Sequence, residues 1–250
     1  MKISQKAWQK YIDWLRRIDN KAAEMMLAYV NKYGLDNRKD LIAFAYSVAE
    51  KYGAASATCA AEMFEAIADL EGRYVNAECA ETATYSEVAK AVNGTAKTGN
   101  PKLLAYAIGA LVRKAGADTM VKNAIKYKAQ YAWISSGDSC PYCLALAAEG
   151  WRPASKDAMQ GGHAEHIHAN CNCTYAVRFS DSLGIQNYAP EKYQKIYADA
   201  EGDTPEEKIN FLRRQHREEH KEEINEQKRE AYADRKARED AGKPETPDKN

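Results

Sequence analysis

The placement of cysteine constrains this chain more than any other feature of its sequence. Four of the six cysteines and three of the five histidines fall between Cys140 and Cys173. The first pair, Cys140-Pro141-Tyr142-Cys143, is a C-x-x-C turn. Such a turn points two thiolates at one place, each able to lie ~2.3 Å from a zinc ion. A second cluster, His168-x-x-Cys171-x-Cys173, offers three more ligands. A tetrahedral site needs only four, so one of the five is surplus. The preferred set is Cys140, Cys143, His168 and Cys173, with Cys171 the alternative to either of the last two. Ligands of this kind leave no open coordination position. The expected Zn2+ is therefore structural: it closes the loop 144–167, and its binding energy is folding energy.

That reading depends on a reducing compartment. The N-terminal stretch from Trp8 to Leu15 is broken by Gln9, Lys10 and Asp13 and is no signal peptide. No run approaches the ~18 apolar residues of a membrane helix. Clustered cysteines in a chain kept in the cytoplasm read as metal or redox chemistry, not disulfides. Lys and Arg number 36, as do Asp and Glu. A neutral chain of this kind is not built mainly to coat nucleic acid.

Around the cluster the chain reads as mainly α. Trp8, Ile12, Leu15 and Ile18 repeat at helical spacing, with Gly34 as a stop. Further helices are expected through Leu41 and Val48 to Gly53, and through Cys59, Met63 and Ile67 to Gly72. Residues 73–84 read as a loop. Thr84 and Glu87 have capping-box spacing, and Gly94 closes the short helix they begin. Asn100-Pro101 opens a helix through Leu104 and Ile108, followed by another through Met120 and Ala124. Tyr131–Ile134 and Thr174–Phe179 have strand character. Thr204-Pro205-Glu206-Glu207 starts a long charged helix reaching Asp240, before an end at Gly242-Lys243-Pro244 expected to be disordered. Three parts result: a helical bundle over 1–130, a small α+β zinc-stapled module over 131–180, and a charged helical, partly disordered tail over 181–250.

Other readings of the same residues compete. Cys59 and Cys79 fit ordinary helix packing. Cys140-Pro141-Tyr142-Cys143 matches the active-site motif of glutaredoxins. That thiol chemistry needs the first cysteine at a helix N-terminus, after a strand, in a βαβ fold. No second βαβ-like half is evident, and the downstream cluster would go unexplained. His163, His166 and His168 are similar to the His-Asn-His endonucleases only loosely, because His163 follows Gly162 and His166 follows Glu165. No carboxylate cluster suggests an open catalytic metal. A zinc knuckle contacting nucleic acid would want a basic stripe, for which Arg152, Lys156 and Arg178 are few candidates. No enzymatic activity is expected.

The order Cys-x-x-Cys, loop, His-x-x-Cys-x-Cys, strand resembles the Mu-F-like family of phage head morphogenesis (minor capsid) proteins. Many members read His-Pro-Asn-Cys-Arg-Cys where this chain has His168-Ala169-Asn170-Cys171-Asn172-Cys173. Ala7–Tyr11, Ala49–Ala55, Ala61–Ala68 and Tyr85–Gly94 resemble a minor capsid subfamily of tailed phages of Gram-positive bacteria. The resemblance covers roughly residues 5–180. It implies a low-copy component of the phage head at the portal vertex. Portal, capsid or scaffold proteins would be its partners, with packaged DNA a further candidate and no membrane. It would be present in host cytoplasm during assembly and afterwards in the virion. No catalytic residue carries over.

Overall fold

The computed structural model describes residues 2–135, 140–156 and 173–241, and these contain eight helices and five short strands. β1 (Lys2–Ile3) leads into α1 (Gln5–Tyr33), which begins where Ser4 Oγ accepts the Ala7 N–H at 3.2 Å. It ends at Gly34, whose φ of +75° suits a residue without Cβ.

α2 (Arg38–Leu70) is one helix of 33 residues, ~50 Å long, where the sequence suggested two separated at Gly53. Gly53 does not stop it. A Cβ there would lie 3.2 Å from Thr82 Cγ2 and 3.6 Å from Ala115 Cβ, so the glycine serves close approach. α3 (Tyr85–Ala96) starts with the expected Thr84–Glu87 capping box but runs through Gly94. α4 (Pro101–Lys126) starts where Asn100 Oδ1 accepts from the Lys102 and Leu103 N–H groups, and merges the two helices expected there into one.

The long helices thread two hydrophobic clusters. Met26 near the end of α1 meets Leu41 and Val48 of α2, Val88 of α3 and Leu104 of α4 in one. Trp8 and Tyr11 at the start of α1 meet Phe64 and Ile67 of α2 and Met120 of α4 in the other. α1 therefore runs opposite to α2 and α4, which are parallel to each other. Ser56 and Ala57 of α2 and Ala115, Gly116 and Ala117 of α4 are buried, and this small-residue seam brings the two helices close.

A parallel pair needs a return path, and residues 73–84 supply it as an extended strap. Tyr127 Oη, Asn123 Oδ1 and Thr119 Oγ1 of α4 accept the N–H groups of Asn76, Glu78 and Ala80 at 3.0, 2.9 and 2.9 Å. Asn123 Nδ2 also donates to Glu78 O at 2.8 Å. Strap backbone groups that lack a strand partner are thus satisfied by helix side chains.

β2 (Gln130–Ile134) and β4 (Thr174–Arg178) form the two expected strands and pair antiparallel along their whole length, Gln130 opposite Arg178 and Ile134 opposite Thr174. Between them in sequence come α5 (Pro141–Ala148) and β3 (Arg152–Pro153), which pairs with the start of β2 on its other edge. Trp133 and Tyr175 pack edge to face, centroids 4.6 Å apart, in the same cluster as Trp8 and Phe64. Residues on both sides of position 130 thus share one core.

The stretch read as a tail begins packed on the body. β5 (Gly184–Ile185) pairs in parallel with β1, and Leu183 and Ile185 are buried. α6 (Pro190–Ala198) follows, and Tyr188 Oη donates to Ala147 O of α5 at 3.3 Å. The charged helix expected to reach Asp240 is two: α7 (Pro205–Glu219), with the predicted Thr204–Glu207 capping box and a buried Leu212, and α8 (Lys221–Ala241). The interruption is at His220, φ −103° and ψ 19°. Gly242-Lys243-Pro244 lies outside the described residues. No described helix is long and apolar enough to cross a membrane.

Candidate metal centre

The register of β2 and β4 decides where Cys173 enters the sheet. Ile134 ends β2 opposite Thr174, which begins β4, so the chain leaves and re-enters the sheet at one edge of the pair. β3 lies at the opposite end, beside Gln130 and Tyr131. α5 therefore descends from the Ile134 end toward the Gln130 end. Its eight residues cover ~12 Å, close to the ~17 Å of a five-residue strand. Cys140 is the residue before α5, and Cys173 is the residue before β4, at the end of the sheet where β2 finishes.

Cys140 occupies the N-cap position with extended backbone, φ −60° and ψ 155°, and Pro141 takes the first helical position, where its missing N–H is no loss. The first turn closes by the Leu144 N–H donating to Cys140 O at 3.1 Å. No side-chain hydrogen bond caps the helix. Cys143, one turn on, is fully buried, and Cys140 and Cys173 are half-buried against the same cluster. A helix N-terminus favours anionic sulfur, whether ligand or nucleophile. Tyr142 lies beside both thiols. Its phenol is pushed up first by burial, then by the negative charge of Glu149 and of the two cysteines when ionised. On its inner side Cys173 lines a narrow cleft with Ile12, Leu15, Asp19, Arg113 and Thr174.

Of the five ligands expected from sequence, Cys140, Cys143 and Cys173 lie among the described residues, Cys143 within one hydrophobic cluster and the other two packed against it. His168 and Cys171 lie outside the described residues, as do His163, His166 and Gly162. Among the described residues no three His, Cys, Asp or Glu side chains already converge as a metal site. The donor chemistry nevertheless fits zinc: sulfur ligands one helical turn apart, a third at the adjacent strand entrance, and a buried apolar floor that limits exchange with solvent.

The competing readings fare unevenly. Cys140 does follow a strand and begin a helix, which is the local requirement for thiol redox chemistry, but β3 and β4 both run antiparallel to β2 and make no βαβ unit. The basic stripe for nucleic acid is largely consumed by the fold. Arg178 donates to Gln130 Oε1 and Asp181 Oδ1, both at 2.7 Å, and lies 4.6 Å over the Trp151 ring. Arg152 is held by Glu149. Cys59 packs on α2 as expected, and burial together with Glu62 pushes its thiol up to about 11. Cys79 does not pack in a helix: it is exposed on the strap, with Thr58 Oγ1 4.0 Å from its sulfur. The role of α5 in placing Cys140 was the feature least visible in sequence, although Pro141 directly after Cys140 is the signal of a first helical position.

A family model described as VG15 protein matches residues 2–200 of the 250. No curated protein and no solved structure matches the chain.

Proposed function

The chain belongs to the VG15 protein family of phage proteins, and on that premise we propose that it is a minor structural component of the phage head whose sheet is held by a structural Zn2+. The observation that supports the zinc reading is that Cys140, Cys143 and Cys173 all belong to or pack against one hydrophobic cluster, Cys140 just before α5 and Cys173 just before β4. His168 or Cys171 supplies the fourth ligand. A metal there ties α5 to β4 and closes the loop between them, adding its binding energy to that of the core on which the sheet packs. The head reading is supported by the family and by the Cys/His order of the sequence. Portal, capsid or scaffold proteins are the partners of choice, because the balanced charge of the C-terminal helices gives no preference for DNA. The protein acts in the host cytoplasm during assembly and remains in the virion, without enzymatic activity.

Two measurements test this. Elemental mass spectrometry of the full chain purified under reducing conditions should find about one zinc per chain, lost in Cys143→Ser and Cys173→Ser. Metal-free protein that stays folded refutes the zinc site. Proteomics of purified particles should recover the chain with the portal, and its absence from particles refutes the head assignment.

One observation favours a second reading. Cys140 at the N-cap of α5, the first helix after β2, has the sequence position of the first cysteine of a redox pair with Cys143. Under that reading Cys173→Ser leaves the fold and thiol–disulfide exchange intact. Under the structural reading the same change unfolds the sheet.

A further inference from the structure

The first turns of α1 carry a charged face that the head-protein reading does not use. Lys6, Lys10, Trp14, Arg17 and Lys21 follow at intervals of four, four, three and four residues, and all are exposed. At about 100° per residue they fall within an arc of about 80°. That arc is opposite the buried Trp8, Tyr11 and Ile12. Residues 1–21 hold six Lys and Arg against two Asp, in a chain whose net charge is zero. Arg17 Cζ lies 5.9 Å from the centre of the Trp14 ring, which is 51% exposed. With Lys6 and Lys10 they line a shallow, open hollow to which only residues of α1 contribute. Lys21 Nζ meets Glu24 Oε2 at 3.0 Å. Among the described residues no carboxylate engages Lys6, Lys10 or Arg17.

The opposite charge pattern stands on α8. Glu222, Glu226 and Glu230 are exposed, four residues apart, and also span an arc of about 80°. α7 is fixed to the body by the buried Leu212, and Lys208 Nζ donates to Tyr197 O and Ala198 O at 3.3 and 3.2 Å. Beyond it, every described side chain of α8 except the half-buried Ile224 is exposed. We propose that the basic face of α1 is the docking site for the acidic face of α8 from a second copy of this chain. Charge complementarity between two unpartnered helix faces carries the proposal, and the chain's own α8 does not line the hollow. Parallel docking with Lys6 opposite Glu222 sets Lys10 opposite Glu226. It also sets Asp13 opposite Arg229, so the one charge of contrary sign on each face finds its opposite too. Exposed ion pairs are weak singly, but here two preformed helices align several at once, and the contact covers the Trp14 ring. Two copies that exchange arms make the contact twice and close as a dimer.

The test is sedimentation velocity of the full chain over a range of concentrations. The wild type should self-associate at low salt, and raising the salt should weaken this by about tenfold or more. Lys6→Glu/Lys10→Glu/Arg17→Glu leaves both faces acidic, and Glu222→Lys/Glu226→Lys/Glu230→Lys leaves both basic. Each variant alone should be a monomer with unchanged far-UV circular dichroism, and an equal mixture of the two should associate. A wild type that stays monomeric at every concentration overturns the proposal. So do variants that associate alone as the wild type does, or a mixture that stays monomeric. A labelled single-stranded oligonucleotide provides the contrasting arm. If a monomeric wild type binds it and the α1 variant does not, the face serves nucleic acid and the second copy is refuted.

Discussion

Replacing Gly116 by alanine tests whether the α2–α4 contact is closely fitted. A Cβ at this position would lie 2.6 Å from Ser56 Oγ and 3.2 Å from Ser56 O. The hydroxyl can turn away, but the carbonyl belongs to the α2 backbone and cannot. Overpacking of this kind costs about 1–3 kcal/mol. The same change gains about 1 kcal/mol of helix propensity, so the net loss should be about 1 kcal/mol, or about 2–4 °C in Tm for a chain of this size. Gly94→Ala isolates the packing term, because Gly94 also lies inside a helix but meets nothing within 4 Å. It should stabilise by about 1 kcal/mol. Propensity cancels in the difference between the two variants, leaving about 1–3 kcal/mol of packing cost alone. Removing the hydroxyl first, with Ser56→Ala, should shrink that difference. Urea unfolding followed by circular dichroism measures the wild type and both glycine variants, each with and without Ser56→Ala. Equal stabilisation by Gly116→Ala and Gly94→Ala would refute the close contact.

Asn123→Ala should cost about 2–3 kcal/mol, because it removes both hydrogen bonds to the Glu78 backbone. Amide hydrogen exchange of Glu78 should accelerate with it, and unchanged protection would show that the strap is held elsewhere. Asp19→Ala strips Arg113 of a partner where both side chains are only 15% exposed, and should cost about 3 kcal/mol in urea unfolding. Lys21→Ala, which breaks the exposed pair with Glu24, should cause no measurable change in the same assay. The Glu87 carboxyl is held below the ordinary glutamate range, first by the Thr84 backbone N–H and also by the Thr84 hydroxyl. A depressed folded-state value means that its contribution is present above the ordinary glutamate range and is lost as pH falls through the folded value. Glu87→Gln should therefore flatten the acid limb of the stability–pH profile, and an unchanged slope would remove Glu87 from its causes.

The sequence exposed those parts of the fold whose signals are local. Asn100-Pro101, Thr84 with Glu87, and Thr204 with Glu207 each cap a helix through a bond within three residues, so the pattern contains the whole interaction. The strands around Trp133 and Val177 were legible because their aromatic and β-branched runs stand out from Ala-rich helices. Glycine misled. Gly53 looked like a helix end, yet its meaning comes from Thr82 and Ala115 across a helix interface, which no local window contains. The β1–β5 pairing was invisible for the same reason: two-residue strands 182 positions apart carry no pattern of their own. In the candidate site, spacing identified Cys140 and Cys143 as a pair. Where Cys173 enters the sheet depends on the register of β2 against β4, which only the folded sheet fixes.

The strap and α4 also keep time with each other. Asn76, Glu78 and Ala80 advance two residues per contact, while Tyr127, Asn123 and Thr119 retreat four. Two extended residues span ~6.6 Å and four helical residues ~6.0 Å, so the two repeats are nearly commensurate over three contacts and drift apart beyond them. The connection therefore behaves as a rack engaged on a screw. A slip by one residue turns the donating N–H groups away, and the nearest alternative meshing is a full helical turn distant. Because the teeth on the strap are backbone, the side chains of Asn76, Glu78 and Ala80 do not make these three contacts. The positions that must keep their chemistry are on the helix, four residues apart.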